Sequence, residues 1–119
     1  MARYVDGFVI PIPKKQMAAY RRMAAMAGKI WMEHGALQYV ECVGEDMKVK
    51  MGKPFPRLAR TKNGETVVFS WIVYKSRAHR DKVNAKVMAD PRLSSMGPDV
   101  MPFDPKHMTY GGFDTLVDL

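Results

Sequence analysis

Glu65-Thr66-Val67-Val68-Phe69-Ser70-Trp71-Ile72-Val73-Tyr74 is the stretch on which the fold turns. All but two of its residues are β-branched or aromatic, and such side chains suit a pleated, half-buried surface, so it reads as the strongest strand in the chain. Just after it, Ser76 can cap a helix whose apolar spacing runs through His79, Val83 and Val87. That helix ends by Asp90, because Pro91 disfavours a helical conformation in the residue before it. In the other direction, residues 44–64 are too long for a hairpin connection, so this segment is either functional or mobile. Ahead of it, residues 37–43 read as a second strand. Earlier still, Met17, Tyr20, Met23, Ala24, Ala27, Ile30, Trp31 and His34 recur at three- and four-residue steps, the mark of one helical face. Gly35 is placed to cap that helix, with Leu37 packing back on its last turn. Residues 4–10 form the first strand, ended by Pro11 and Pro13. Residues 91–106 carry four prolines and read as an irregular loop. Residues 107–113 close the chain as a last strand, in which Gly111-Gly112 suggests a bulge or a close backbone approach. The order β-α-β-β-α-β predicts an α+β, ferredoxin-like domain over residues 1–119. It has an antiparallel sheet with both helices on one face.

Composition narrows the function classes. A chain of 119 residues can bury a core without metal or disulfide, and its single cysteine, Cys42, excludes an internal disulfide framework and suits a reducing, cytoplasmic setting. No apolar run reaches the length of a membrane span, and the first residues lack the apolar stretch of a signal peptide. The net charge of +7 is uneven. Lys48, Lys50, Lys53, Arg57, Arg60 and Lys62 lie together with no intervening acid. Such a run can neutralise phosphates, and an RNA-binding accessory role is the alternative it leaves open. A solvated loop is the reading preferred here, because no aromatic RNA-reading motif accompanies the charge.

Strand side chains alternate between faces. One set (Val5, Gly7, Val9, Val40, Cys42, Val68, Ser70, Ile72 and Met108) is aliphatic or small, as expected beneath helices. The other holds Tyr4, Asp6, Phe8, Leu37, Tyr39, Glu41, Val67, Phe69, Trp71, Val73, His107 and Thr109. Two helices cover one face only, so this aromatic face needs other shielding. Covering Phe8, Phe69 and Trp71 alone is worth on the order of 10 kcal/mol before association costs. The expected shield is a second copy, a homodimer whose paired sheets enclose a cavity.

Several strings carry a resemblance: Tyr4-Val5-Asp6-Gly7-Phe8-Val9 with Pro11 and Pro13, Gly35-Ala36-Leu37, Glu41-Cys42, Val67 to Ile72, Arg80-Asp81, Met88 to Arg92, Met101-Pro102-Phe103-Asp104, and Tyr110-Gly111-Gly112-Phe113. Together they span nearly the whole chain, which resembles the YbaA-like family of small bacterial proteins of unknown function. The resemblance implies the dimeric α/β-barrel superfamily, which also holds cofactor-free monooxygenases and haem-dependent relatives; it implies no reaction for this chain. The chain departs from the family pattern at Tyr74-Lys75-Ser76-Arg77, at Val43, and at His107, where the family more often has Arg.

A buried carboxylate in mid-strand is costly without a partner, which singles out Asp6. With the usual strand order of this fold, Asp6 approaches His107 on one neighbouring strand and Trp71 on the other. Asp6 and His107, with Glu41, then form a candidate acid/base group at the polar end of a pocket lined by Tyr4, Phe8, Tyr39, Phe69 and Trp71. The plainer alternative is a salt bridge that fixes dimer register. His34, His79 and His107 have no metal-ligand spacing, so no metal and no cofactor are expected. Arg80-Asp81 and Asp90-Pro91-Arg92 read as ion pairs bracketing the second helix. The function expected is binding, with conversion as an extension, of a small hydrophobic or aromatic molecule; the further alternative is a structural dimer without a ligand.

Overall fold

The computed structural model describes residues 2–96 and 101–119. Its elements are β1 (Tyr4–Pro13), α1 (Met17–Glu33, entered through a 3-10 turn at Lys14–Gln16), β2 (Gln38–Val43), α2 (Phe55–Ala59), β3 (Glu65–Tyr74), α3 (Arg77–Met88), α4 (Pro91–Ser94) and β4 (Thr109–Asp114). The sheet order is β2-β3-β1-β4, with every neighbouring pair antiparallel. This is the expected ferredoxin-like α+β arrangement, with α1 and α3 on one face. Of the irregular stretch expected at 91–106, residues 97–100, including Pro98, lie outside the described residues. The rest is more ordered than expected: it carries α4 and a 3-10 turn at Pro105–His107.

Local chemistry sets the boundaries. Gly35, at φ +113°, takes the left-handed position just past α1. Its N–H donates to the Met32 carbonyl, and that of Ala36 donates to Trp31, at 3.2 and 3.0 Å. The pattern closes the helix with two of its orphan carbonyls satisfied. Ala36 fills the apolar position next to this cap and is buried, whereas Leu37, expected to do so, is exposed. Ser76 caps α3 by accepting from the His79 N–H at 3.1 Å.

The register overturns the expected sharing of faces. Asp6 lies opposite Ile72, and Phe8 opposite Ser70. Tyr39 pairs with Ile72, and Glu41 with Ser70. Residues directly opposite in a sheet share a face. Tyr4, Asp6, Phe8, Tyr39 and Glu41 therefore sit beneath the helices with Ser70 and Ile72, while Val5, Gly7, Val9, Phe69, Trp71 and Val73 are on the helix-free side. The reason is volume. The inner face of α1 is lined by Ala24, Ala27 and Gly28, all buried, which leaves room for rings rising from the sheet. Tyr39 lies so close to Gly28 that a Cβ there would sit 2.7 Å from its ring.

Tyr4, Ile30, Ala36, Ile72, Tyr74, Val83 and Val87 form one core cluster, and Ile10, Ile12, Tyr20, Ala24 and Val68 another. The segment 44–64 folds back over the helix-free face. There Phe55 of α2 lies against Phe69, with ring centroids 5.8 Å apart, and Leu58 lines a shallow groove with Val9 and Phe69.

Candidate functional site

Between the sheet and α1/α3 lies a cavity of about 730 Å³. Its floor is Asp6, Phe8, Ser70 and Ile72, and its walls include Trp31, Tyr110 and a run of methionines that reaches Met23, Met88 and Met108. From α3, Arg80, Asn84 and Met88 reach it at steps of four, one stripe of the helix.

One end of the cavity is a buried polar group. Arg80 donates from Nη1 to Asp6 Oδ1 at 2.6 Å and from Nε to Asp81 Oδ1 at 2.8 Å. Its guanidinium lies over the Tyr4 ring, 4.9 Å from the centroid. Burial pulls the Arg80 pKa down, but the Asp81 and Asp6 carboxylates outweigh it and leave the group firmly charged. Beside them Asn84 Oδ1 accepts from Trp31 Nε1 and from the Tyr74 hydroxyl, both at 3.1 Å. Burial first, and then the Asp6 charge, push the Tyr74 hydroxyl above its ordinary pKa, so it stays a neutral donor.

A second polar group centres on Glu41. Tyr20 donates to its Oε1 and Tyr39 to its Oε2, each at 2.7 Å. Burial, and then the Glu41 charge, push both phenols far above the usual tyrosine range, so they remain donors. These three residues also line a neighbouring cavity of about 620 Å³ between α1 and the edge strand β2. They form the partition between the two spaces.

The structure parts the expected site. Tyr4, Asp6, Phe8, Tyr39 and Glu41 gather on the helix-covered side. Phe69 and Trp71, both on the opposite face, lie with ring centroids 5.6 Å apart and planes tilted by 55°, and Trp71 donates to Gln38 Oε1 at 3.2 Å. His107 is not in a strand. It lies in the 3-10 turn before β4, exposed, 3.9 Å from Asp104, and lines a separate cleft with Pro11 and Pro13. Asp6 therefore meets Arg80, not His107, and its strand neighbours are Ile72 and Gly112.

Sequence reading missed Ser70, Tyr74 and Asn84 as lining residues. The signal for Asn84 was present: it stands four residues after Arg80 beside the buried Val83 and Val87, where a polar side chain needs a reason. Among the described residues, no three His, Cys, Asp or Glu side chains converge on a metal position, and no helix is long and apolar enough to cross a membrane. The basic side chains of 48–62 are exposed on and around α2.

The fold is similar to that of a dimeric ferredoxin-like protein from an uncultured marine organism, with a TM-score of 0.59 at 11% identity and full coverage of both chains. In sequence, the chain is 45% identical over 116 residues to the uncharacterized protein YbaA of Escherichia coli K12, covering 98% of each. The same identity and coverage hold for YbaA of Shigella flexneri. The family model described as "Protein of unknown function (DUF1428)" matches residues 3–105, and the chain belongs to that family.

Proposed function

We propose that this protein binds a small hydrophobic, ring-bearing molecule in the cavity between its sheet and α1/α3, and works as a homodimer closed over the helix-free face. The observation that carries the binding reading is the cavity itself. About 730 Å³ falls in the range of small-molecule sites, and apolar walls with a few convergent polar groups are their usual make-up. Asp6 and Glu41, its two carboxylates, are the groups we assign to engage a ligand's polar atoms. Aromatic rings suit flat ligands, and methionines adapt to irregular ones.

The dimer reading rests on the other face. Phe69 is 43% and Phe113 59% exposed there. They flank a groove of about 780 Å³ that runs between α2 and the C-terminal residues. An apolar patch of this kind marks an interface. The solved protein of similar fold is itself described as dimeric, which supports the pairing.

The binding test is titration with the neutral dye Nile red, alongside native mass spectrometry of the freshly purified protein. The expected result is saturable binding of one dye per chain, sharply weakened when Met23→Trp and Met108→Trp together fill the cavity. No saturable binding, or binding indifferent to that filling, overturns the reading.

A further inference from the structure

Resting on the cavity reading, we infer that its ligand is an uncharged aromatic molecule with a hydroxyl group, a phenol-class compound, and that this hydroxyl is held by Asp6 Oδ2 and Ser70 Oγ. Both residues are more than nine-tenths buried, at 6% and 5% exposure. Asp6 uses Oδ1 for Arg80, and the Tyr74 hydroxyl, which donates to Asn84, lies beside the same carboxylate; no other side chain among the described residues bonds Oδ2 or the Ser70 hydroxyl. No fully enclosed side-chain oxygen among those residues is left unpaired, so these two are not sealed in: they open onto the cavity that both residues line. Each can therefore take a hydrogen bond from a ligand atom that enters the cavity.

Charge decides the ligand's class. A carboxylate only accepts hydrogen bonds, so the ligand atom at Oδ2 must donate. An anionic ligand would meet the Asp6 charge, with little attraction from Arg80, which already serves both Asp6 and Asp81. A cationic ligand would meet Arg80 at the same end of the cavity and, like any ion, would have to shed its hydration among largely apolar walls. A neutral hydroxyl escapes both penalties. It can donate to Oδ2 and stay within reach of the serine, while the ring lies among Phe8, Trp31 and Tyr110. Asn84 offers a further anchor. Indole N–H can only donate, so the bond from Trp31 fixes the amide oxygen and leaves the Nδ2 donor for a ligand oxygen.

The test is displacement of Nile red by four naphthalenes of similar size: 2-naphthol, 2-methoxynaphthalene, 2-naphthoate and 2-naphthylmethylammonium. The naphthol is expected to bind at least tenfold more tightly than the methyl ether and than either ion, since a hydrogen bond to a charged group is worth about 1.5–3 kcal/mol. Ser70→Ala and Asp6→Asn should each narrow the naphthol–ether gap severalfold. Asp6→Asn also disturbs Arg80, so Ser70→Ala carries the test if that variant fails to fold. An ether that binds as well as the naphthol, an ion that binds better, or a gap unchanged in Ser70→Ala overturns this assignment and leaves the cavity reading standing. If the dye itself does not bind, the cavity reading fails first, and this one with it.

Discussion

Arg80 and Asp6, 74 residues apart, are joined by a 2.6 Å charge-assisted hydrogen bond beneath the helices. The bond ties α3 to the first half of β1. The Asp6 side chain is 8% exposed and that of Arg80 18%, so each charge depends on the other. Removing one partner of a buried pair leaves the survivor uncompensated, at about 3–5 kcal/mol. Arg80→Met is therefore expected to destabilise the protein by roughly that much in urea unfolding. The double variant Asp6→Asn/Arg80→Met should be less damaged than the sum of the two singles, because it leaves no lone charge. Additive losses would show that the pair is not coupled.

The Tyr4 ring that carries Arg80 depends in turn on Gly112. A Cβ at Gly112 would run into the Tyr4 phenol. At Gly111 the nearest atom belongs to Phe113, at 3.9 Å. Neither glycine has a positive φ, so alanine meets no backbone strain at either. Gly112→Ala is expected to lower stability by about 1–3 kcal/mol through overpacking, and Gly111→Ala by far less. Paired thermal melts decide it: equal effects would refute the close approach of Tyr4.

Much of the architecture is legible in the sequence. The periodicity from Met17 to Trp31, the caps at Gly35 and Ser76 and the Glu65–Tyr74 strand yield the order of the four strands and the two long helices, but not the short α2 and α4. The faces were not legible. Alternation says which residues of one strand share a side, but not how two strands are aligned, and a one-residue slip inverts a whole set. Alternation alone places Asp6 on the face of Trp71, whereas the register puts it on that of Ile72. Hydrophobicity misled as well. Val5, Gly7 and Val9 look like core, yet the small residues of α1 admit Tyr4, Phe8 and Tyr39 instead. The partners of Asp6 and Glu41 were hidden for a simpler reason: Arg80 and Tyr20 lie far away in sequence and meet them only through tertiary packing.

At the end of α1, Asp90 caps α4, accepts two bonds from the Arg92 side chain at 3.1 and 2.8 Å, and lies 2.9 Å from His34 Nε2. Arg92 also reaches Glu33 at 2.6 Å. Hydrogen bonds from Arg92 first, and then from His34, hold the Asp90 carboxyl far below its ordinary value of 3.8. A depressed carboxylate stabilises the fold fully above its unfolded-state pKa, and that contribution drains away as pH falls toward the folded value. The stability gap between wild type and Asp90→Asn should therefore narrow steadily as pH falls below about 4. Urea midpoints across pH 2–7 read it. A gap that widens on acidification would reverse the assignment.

The helix-free face yields the last test. Phe69 touches Phe55 and Trp71, with ring centroids 5.8 and 5.6 Å away, so changing it would also disturb α2. Phe113 is the cleaner probe. It is 59% exposed at the edge of the same groove and lies opposite Val5. In a pair of sheets closed face to face, Phe113→Glu places two charges in an apolar seam, where each unpaired carboxylate costs several kcal/mol. In an isolated subunit the same side chain would simply be solvated. Wild type is therefore expected to sediment at twice the chain mass at micromolar concentration, and Phe113→Glu at the mass of one chain with its far-ultraviolet circular dichroism unchanged. A wild type that sediments as one chain at these concentrations would refute the pairing, and so would a Phe113→Glu variant that still sediments as a pair.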